Sequence, residues 1–179
     1  MVVVVSQMDI EFLAAIRANV SAFLQRCGQQ YSIPGKILDV APQDHEGASP
    51  YFVDAASIET LDINPASGCT HIGDLCKGVP AIADQTYDGV VCTEVIEHTL
   101  QPFDAIAQVH RMLKSGGYLF MSTPMNFRIH GPLPDCWRFT EHGLRALLTE
   151  FDIVELNALD TPGRDLMPIH YTVVARRKG

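Results

Sequence analysis

Apolar positions along this chain follow two rhythms, and the switch between them predicts the elements. From Asp9 to Cys27, Ile10, Leu13, Ile16, Val20, Phe23 and Leu24 recur at the three- and four-residue steps of one helix face, and Gly28 stops the run. After Pro34–Gly35, Lys36 to Val40 is a short apolar run that reads as a buried strand. Ser57 to Ile63 reads as a second strand closed by Asn64–Pro65, Cys69 to Ile72 as a weak third, and valine-rich Tyr87 to Cys92 as a fourth. Pro102 opens a helix to about Lys114, with Phe103, Ile106, His110 and Leu113 on its stripe and Gly116–Gly117 beyond it. Tyr118 to Ser122 is a fifth strand. Thr140 caps a helix striped by Leu144, Leu147 and Leu148, and Ile153–Leu156 and Tyr171–Ala175 are the last two strands. Strands alternating with helices predict an α/β fold: a Rossmann-like, doubly wound, seven-stranded and mostly parallel sheet with helices on both faces. No repeat or linker divides the chain, so residues 1–179 read as one domain, with residues 1–30 forming a helix that packs on it.

Composition narrows the classes. Twenty-one acidic against 13 basic side chains give a net charge of −8, and an acidic surface repels phosphate backbones, so nucleic acid is not an expected partner. Five cysteines without a C-x-x-C pair suit neither a metal finger nor a secreted disulfide framework, and they read as cytoplasmic thiols. No apolar run reaches the ~18 residues of a membrane span, and Val2–Val5 is too short for a signal-peptide core.

In open α/β sheets the ligand sits beyond the carboxyl ends of the strands, so residues there matter most. Asp62 closes the second strand, where a carboxylate can accept two hydrogen bonds from a ribose diol or else cap the turn into Asn64–Pro65. Asp74 can bond an adenine amino group or serve as a turn aspartate. Glu94, Glu97 and His98 follow the fourth strand at helical spacing, so one turn can present them together for metal binding, substrate positioning or proton transfer; the alternative is a helix start whose acidic residues suit the dipole.

Ile37–Leu38–Asp39–Val40, Leu61–Asp62, Gly73–Asp74–Leu75, Tyr87–Asp88–Gly89–Val90, Glu94–Val95–Ile96–Glu97–His98 and Arg111–Met112–Leu113–Lys114–Ser115–Gly116–Gly117 occur in an order that resembles the class I S-adenosylmethionine-dependent methyltransferases. The stretch His130–Gly131–Pro132–Leu133–Pro134–Asp135–Cys136–Trp137–Arg138–Phe139–Thr140 resembles the H-x-x-P-x-D-Y-W-R-F-T loop of a small bacterial group within it, and the match covers roughly residues 35 to 150. The resemblance implies S-adenosylmethionine as cofactor. Asp39 and the Ala41 backbone would face its methionine part, Asp62 the ribose, Ile63 and Asp74 the adenine with the Leu75 amide beside them, and Thr93 and Glu94 the methyl group. The departure is after the first strand, where the family has a glycine-rich turn and this chain has Ala41–Pro42; a Cβ and a fixed φ make close cofactor approach harder.

The expected reaction is methyl transfer to a small molecule or sugar, most simply to oxygen, with His130, His98 and Glu94 as catalytic candidates and Phe127, Trp137 and Phe139 enclosing the acceptor. The E-x-x-E-H turn is also similar to that of some ubiquinone-biosynthesis and small-RNA 2′-O-methyltransferases, where the pattern binds a divalent metal; His130 or His142 would then complete the set. Many relatives carry such a turn without metal, and the reading assigns no metal ligand. His45, His71, His110 and His170 read as turn, surface or core residues. Two alternatives remain at this point: a non-catalytic domain of the same fold that has lost cofactor binding at Ala41–Pro42, and a nicotinamide-dependent oxidoreductase, which would need the G-x-G-x-x-G that this chain lacks.

Overall fold

The computed structural model describes residues 4–42 and 47–179; His45, read above as a turn histidine, lies outside them. Helix α1 (Gln7–Gln30) is followed by β1 (Lys36–Val40), β2 (Ser57–Asp62), β3 (His71–Ile72), β4 (Tyr87–Thr93), α2 (Pro102–Met112), β5 (Leu113–Pro124), α3 (Glu141–Leu147), β6 (Phe151–Thr161) and β7 (Arg164–Arg177). The strands form one seven-stranded sheet in the order β3-β2-β1-β4-β5-β7-β6. Strands β1 to β5 pair in parallel, whereas β7 runs antiparallel to both β5 and β6. The expected α/β architecture is observed. Among the described residues, no helix is long and apolar enough to cross a membrane.

Successive residues of the central strands bury into opposite cores, which is why these runs are apolar without alternation. Ile37, Val91, Phe120 and Val174 meet Phe23, Leu24 and Cys27 of α1 on one face. Leu38, Val90, Leu119 and Val173 meet Ala105, Ile106 and Val109 of α2 and Leu144 of α3 on the other.

Several boundaries differ from the expectation. Ser6 and Asp9 form a reciprocal capping box that starts α1 at Gln7, and the helix runs through Gly28 to Gln30. Gly28 does not end the helix; it admits the neighbouring backbone, since a Cβ there would lie 1.9 Å from the Tyr51 carbonyl oxygen. The third strand shrinks to two residues. Helix α2 ends at Met112, two residues early, and β5 begins at once, so Gly116 and Gly117 lie within a strand. Its buried stripe is Pro102, Ala105, Ile106, Val109 and Met112, which leaves Phe103 outside it and 63% exposed. The α1 stripe also divides. Ile16, Phe23 and Leu24 are buried, whereas Ile10 and Leu13 project beyond the sheet edge and remain exposed.

Candidate functional site

Over the carboxyl ends of β1 and β4, α1 from Asp9 to Leu24 roofs a cavity of about 910 Å³, bounded on its third side by Phe127, Arg128, His130 and Gly131. Ile10, Leu13 and Val20 form an apolar wall, opposite Asp39, Thr93 and Glu94. A smaller cleft of about 230 Å³ shares Asp39, Pro42 and Gly47 and reaches Thr60 and Ser67 on the β2–β3 side. Pro42 therefore walls the cavity without filling it.

At the end of β1, Ala41 has φ +51°, the left-handed conformation that glycine supplies in the family turn. Its N–H donates to the Leu61 carbonyl at 2.7 Å, which fixes the turn against β2. Asp39 is buried and accepts the Ala48 N–H through Oδ2 at 2.7 Å. Burial pushes its carboxyl up to about 6, although the amide bond acts in the opposite direction. Gly47, at φ +54°, permits this approach, because a Cβ there would lie 2.4 Å from Asp39 Oδ2.

At the end of β4, Glu94 also has a positive φ of +55°. The Glu94 N–H donates to the Ser122 carbonyl at 3.1 Å, and the Ser122 hydroxyl donates to Glu94 Oε1 at 2.8 Å. His170 Nε2 reaches the same Oε1 at 2.6 Å, and Asn19 Nδ2 lies 2.9 Å from His170 Nδ1. An amide N–H can only donate, so Nδ1 accepts and the ring proton on Nε2 goes to the carboxylate. Both side-chain bonds end on Oε1, and Oε2 has no protein partner among the described residues.

One turn further, Glu97 is fully buried. Its Oε2 accepts from the Thr123 hydroxyl at 3.3 Å, while Oε1 has no hydrogen-bond partner among the described residues. Burial, and then the charge of Glu94, hold this carboxyl well above the usual range. His98 Nε2 and His130 Nε2 lie 3.8 and 3.9 Å from that Oε1. The loop carrying His130 is pinned here because the N–H groups of Cys136 and Trp137 both donate to the Glu97 carbonyl. Arg138 clamps Asp135 through two bonds of 2.6 and 2.7 Å, and Asp135 accepts the His130 backbone N–H at 2.9 Å. The guanidinium beside it holds the Asp135 carboxyl well below the usual carboxylate range. Burial, the largest effect, lowers the His130 ring.

The structure thus brings Asp39, Ala41, Thr93, Glu94 and His130 around one cavity, with His98 joined to His130 just outside it. Asp62, Ile63, Asp74 and Leu75 do not line that cavity. Asp62 Oδ1 accepts the Asn64 N–H at 2.7 Å, the capping role considered for it, and Ile63 is 67% exposed. Asp74 caps the short turn Leu75–Lys77 by accepting the Cys76 N–H, and Leu75 is buried. Of the three aromatics, only Phe127 lines the cavity. Trp137 stacks on buried Phe139 and donates to the Thr99 carbonyl, so these two rings support the loop and do not enclose an acceptor. His142 is exposed and outside the His98–His130 cluster.

Sequence reasoning missed His170, Asn19, Ser122 and Gly47. A histidine in an apolar strand reads as core until antiparallel β7 sets it beside β4's end. The signal that was available is the excess of polar groups (His170, Thr172) in an otherwise buried strand.

A family model described as a methyltransferase domain matches residues 12–158. No curated protein matches the chain. Among solved structures, the [4+2]-cyclase SpnF is similar with a TM-score of 0.68 at 15% identity, over 93% of this chain and 82% of that one. The N-methyltransferase NodS from Bradyrhizobium japonicum WM9, in complex with S-adenosyl-l-homocysteine, gives 0.64 at 14% identity over 91% and 87% of the two chains. The 1,6-didemethyltoxoflavin-N1-methyltransferase of Burkholderia thailandensis, with 1,6-didemethyltoxoflavin and S-adenosylhomocysteine bound, gives 0.62 at 14% identity over 99% and 94%. The chain therefore belongs to the methyltransferase-domain family, within the class I S-adenosylmethionine-dependent superfamily.

Proposed function

We propose that this protein transfers the methyl group of S-adenosylmethionine to a hydroxyl of a small molecule or sugar bound under α1. The observation that carries the reading is Glu94, held in a strained backbone conformation at the end of β4 with one carboxylate oxygen engaged by Ser122 and His170 and the other without a partner among the described residues. Strain of this kind persists where the surroundings over-determine it, and it concentrates at functional sites. On this reading the acceptor oxygen attacks the methyl carbon, the carbon–sulfur bond breaks to leave S-adenosylhomocysteine, and the hydroxyl proton passes to Glu94 Oε2. Alignment supplies most of the acceleration, up to ~7–11 kcal/mol, and a base adds ~10²–10⁴-fold. The geometry favours Glu94 over His98 and His130 as that base, because both rings turn Nε2 toward Glu97.

The remaining expectations fit the same proposal. Asp39 and the Ala41 turn would take the methionine part of the cofactor, Thr93 would flank the methyl group, and Asp62, Ile63, Asp74 and Leu75 would take the ribose and adenine along the β2–β3 rim. The apolar wall and a volume of about 910 Å³ suit a small acceptor beside the cofactor. All five cysteines are free thiols, which fits the cytoplasm.

Calorimetric titration with S-adenosylmethionine, S-adenosylhomocysteine and NAD tests the cofactor; binding of the first two and not the third is expected. Incubation with methyl-labelled cofactor and a pool of hydroxylated small molecules tests the acceptor. Label in the small-molecule fraction, lost in Glu94→Gln, supports the reading. Absence of cofactor binding overturns it.

A further inference from the structure

We infer that the methyl acceptor carries an oxyanion, a carboxylate or a phosphate ester, and that Arg128 is the side chain that holds it. The inference rests on the methyl-transfer reading and names the class of molecule which that reading leaves open. Arg128 follows β5, lines the cavity and is half-buried. Its Nε donates to the Ile129 carbonyl at 3.2 Å, and its two terminal nitrogens have no partner among the described residues.

Such a guanidinium is unusual in this chain. Twenty-one acidic side chains face 13 basic ones, and Arg26, Arg111, Arg138 and Arg145 each meet a carboxylate. Three carboxyl groups line the same cavity, and each is engaged elsewhere: Asp9 by Ser6, Asp39 by the Ala48 N–H, Glu94 by His170. Neither Arg128 nor Arg17, the other arginine of the cavity wall, meets a carboxylate among the described residues. A net charge of −8 disfavours anions in general, so open cationic donors inside the cavity reverse that field locally. A planar guanidinium with open donors takes a carboxylate or a phosphate through two parallel bonds.

The backbone beneath Arg128 is fixed, as a binding side chain requires. Arg138 donates to the carbonyls of Phe127 and Arg128 at 3.2 and 2.9 Å. It also clamps Asp135, which accepts the His130 N–H. The loop is held before a ligand arrives, and only the arginine side chain remains to be ordered.

Strand order sets Arg128 apart from the proposed cofactor position. Asp39 lies in β1, Glu94 follows β4 and Arg128 follows β5, and these strands are neighbours in the order β1-β4-β5. Along that order Glu94 stands between the methionine part of the cofactor and the guanidinium. Its charge repels an anion set beside it, so the acceptor's hydroxyl and its oxyanion belong at opposite ends of the molecule. The apolar wall of Ile10, Leu13 and Val20, together with Phe127, suits the body that joins them.

The test uses the full chain, methyl-labelled S-adenosylmethionine and a pool of hydroxylated acids, phosphate esters, neutral alcohols and sugars, with anion exchange of the labelled product. Methylation of a hydroxyl leaves the oxyanion intact, so the label should stay on the resin at pH 7. A second pass at about pH 2.5 separates the sources, because a carboxylate with a pKa of about 4 is uncharged there and elutes, whereas a phosphate ester stays. Arg128→Gln should raise KM for the acceptor recovered from that peak by about 10–100-fold, with calorimetric affinity for S-adenosylmethionine within about twofold. Arg128→Lys, which keeps the charge and loses the fork, should recover part of that loss. Labelled product that passes the resin at pH 7, or Arg128→Gln with KM unchanged, overturns the assignment. A cofactor-affinity loss as large as the rise in KM overturns it too, since the guanidinium would then serve the cofactor's own carboxylate. Wild-type protein that binds no S-adenosylmethionine, or labels no small molecule, removes the methyl-transfer reading and this inference with it; a neutral product removes this inference alone.

Discussion

His170 donates to Glu94 Oε1 across 2.6 Å, a bond between the last strand and the end of β4. Its other nitrogen is engaged by Asn19 of α1, so a three-residue chain of hydrogen bonds runs from the first helix through β7 to the cavity wall. A charge-assisted bond this short sets the rotamer of the carboxylate, and the left-handed backbone at Glu94 sets its direction.

Replacing His170 with Ala should therefore lower kcat by about 10–100-fold and leave the affinity for S-adenosylmethionine within about twofold. The lost bond to a charged group and the cavity left behind should cost about 2–4 kcal/mol of stability. His170→Gln, which can still donate, should recover part of the rate. An affinity loss as large as the rate loss, read by calorimetry beside turnover, would show that His170 merely supports the fold.

Asp39 gives the apo protein a specific pH response. The folded state keeps this proton up to about pH 6, whereas the unfolded chain releases it near 3.8. Stability from this group is full below 3.8 and is lost as pH rises through 6, by roughly 3 kcal/mol. Asp39→Asn keeps an acceptor for the Ala48 N–H, so its stability relative to wild type should climb over that window in denaturant melts. A cationic methionine group beside Asp39 would pull the proton off, so wild-type cofactor affinity should be about tenfold weaker at pH 5 than at pH 7. A flat profile in both measurements would contradict the placement.

Gly47→Ala would put a Cβ at a positive φ and 2.4 Å from Asp39 Oδ2. The backbone alone costs about 1–2 kcal/mol, and Asp39 must move, so stability and cofactor affinity should fall together. Gly35→Ala makes a still closer contact, 2.0 Å from Asp88 Oδ2, at a residue that does not line the cavity. It should lower the melting midpoint with affinity unchanged.

Asp62 has a structural bond and a proposed cofactor bond, and one substitution separates them. Asp62→Asn keeps the oxygen that caps Asn64, so its melting curve should match wild type. Loss of the anionic acceptor should weaken S-adenosylmethionine binding by about 10-fold or more. Equal affinity would leave Asp62 as a turn cap alone.

The fold was legible because each central strand faces two cores, and continuous runs such as Ile37–Leu38 and Val90–Val91 are what double burial requires. Strand ends were less so: β5 starts at Leu113 because Leu113 pairs with Tyr87 before the Gly116–Gly117 irregularity, a register effect that local pattern does not carry. Asp39, Ala41, Thr93, Glu94 and His130 were found at the cavity because strand order and the carboxyl-end rule place them there. Ala41 looked like an obstacle only because its conformation cannot be read from its identity; the chain accepts a left-handed alanine where glycine is usual. Ile10 and Leu13 show the complementary limit, since one apolar stripe serves both core and cavity and nothing in its spacing marks the change.

Because β7 is antiparallel, its early residues, not its late ones, reach the reactive rim, and they are among the last of the sheet to leave the ribosome. A nascent chain that has already made α1 through β6 still has a Glu94 without its imidazole and an Asn19 facing nothing. With Glu94 in its proposed role, competence should therefore arrive abruptly, when β7 inserts between β5 and β6, well after the parallel half of the sheet has enough apolar surface to form.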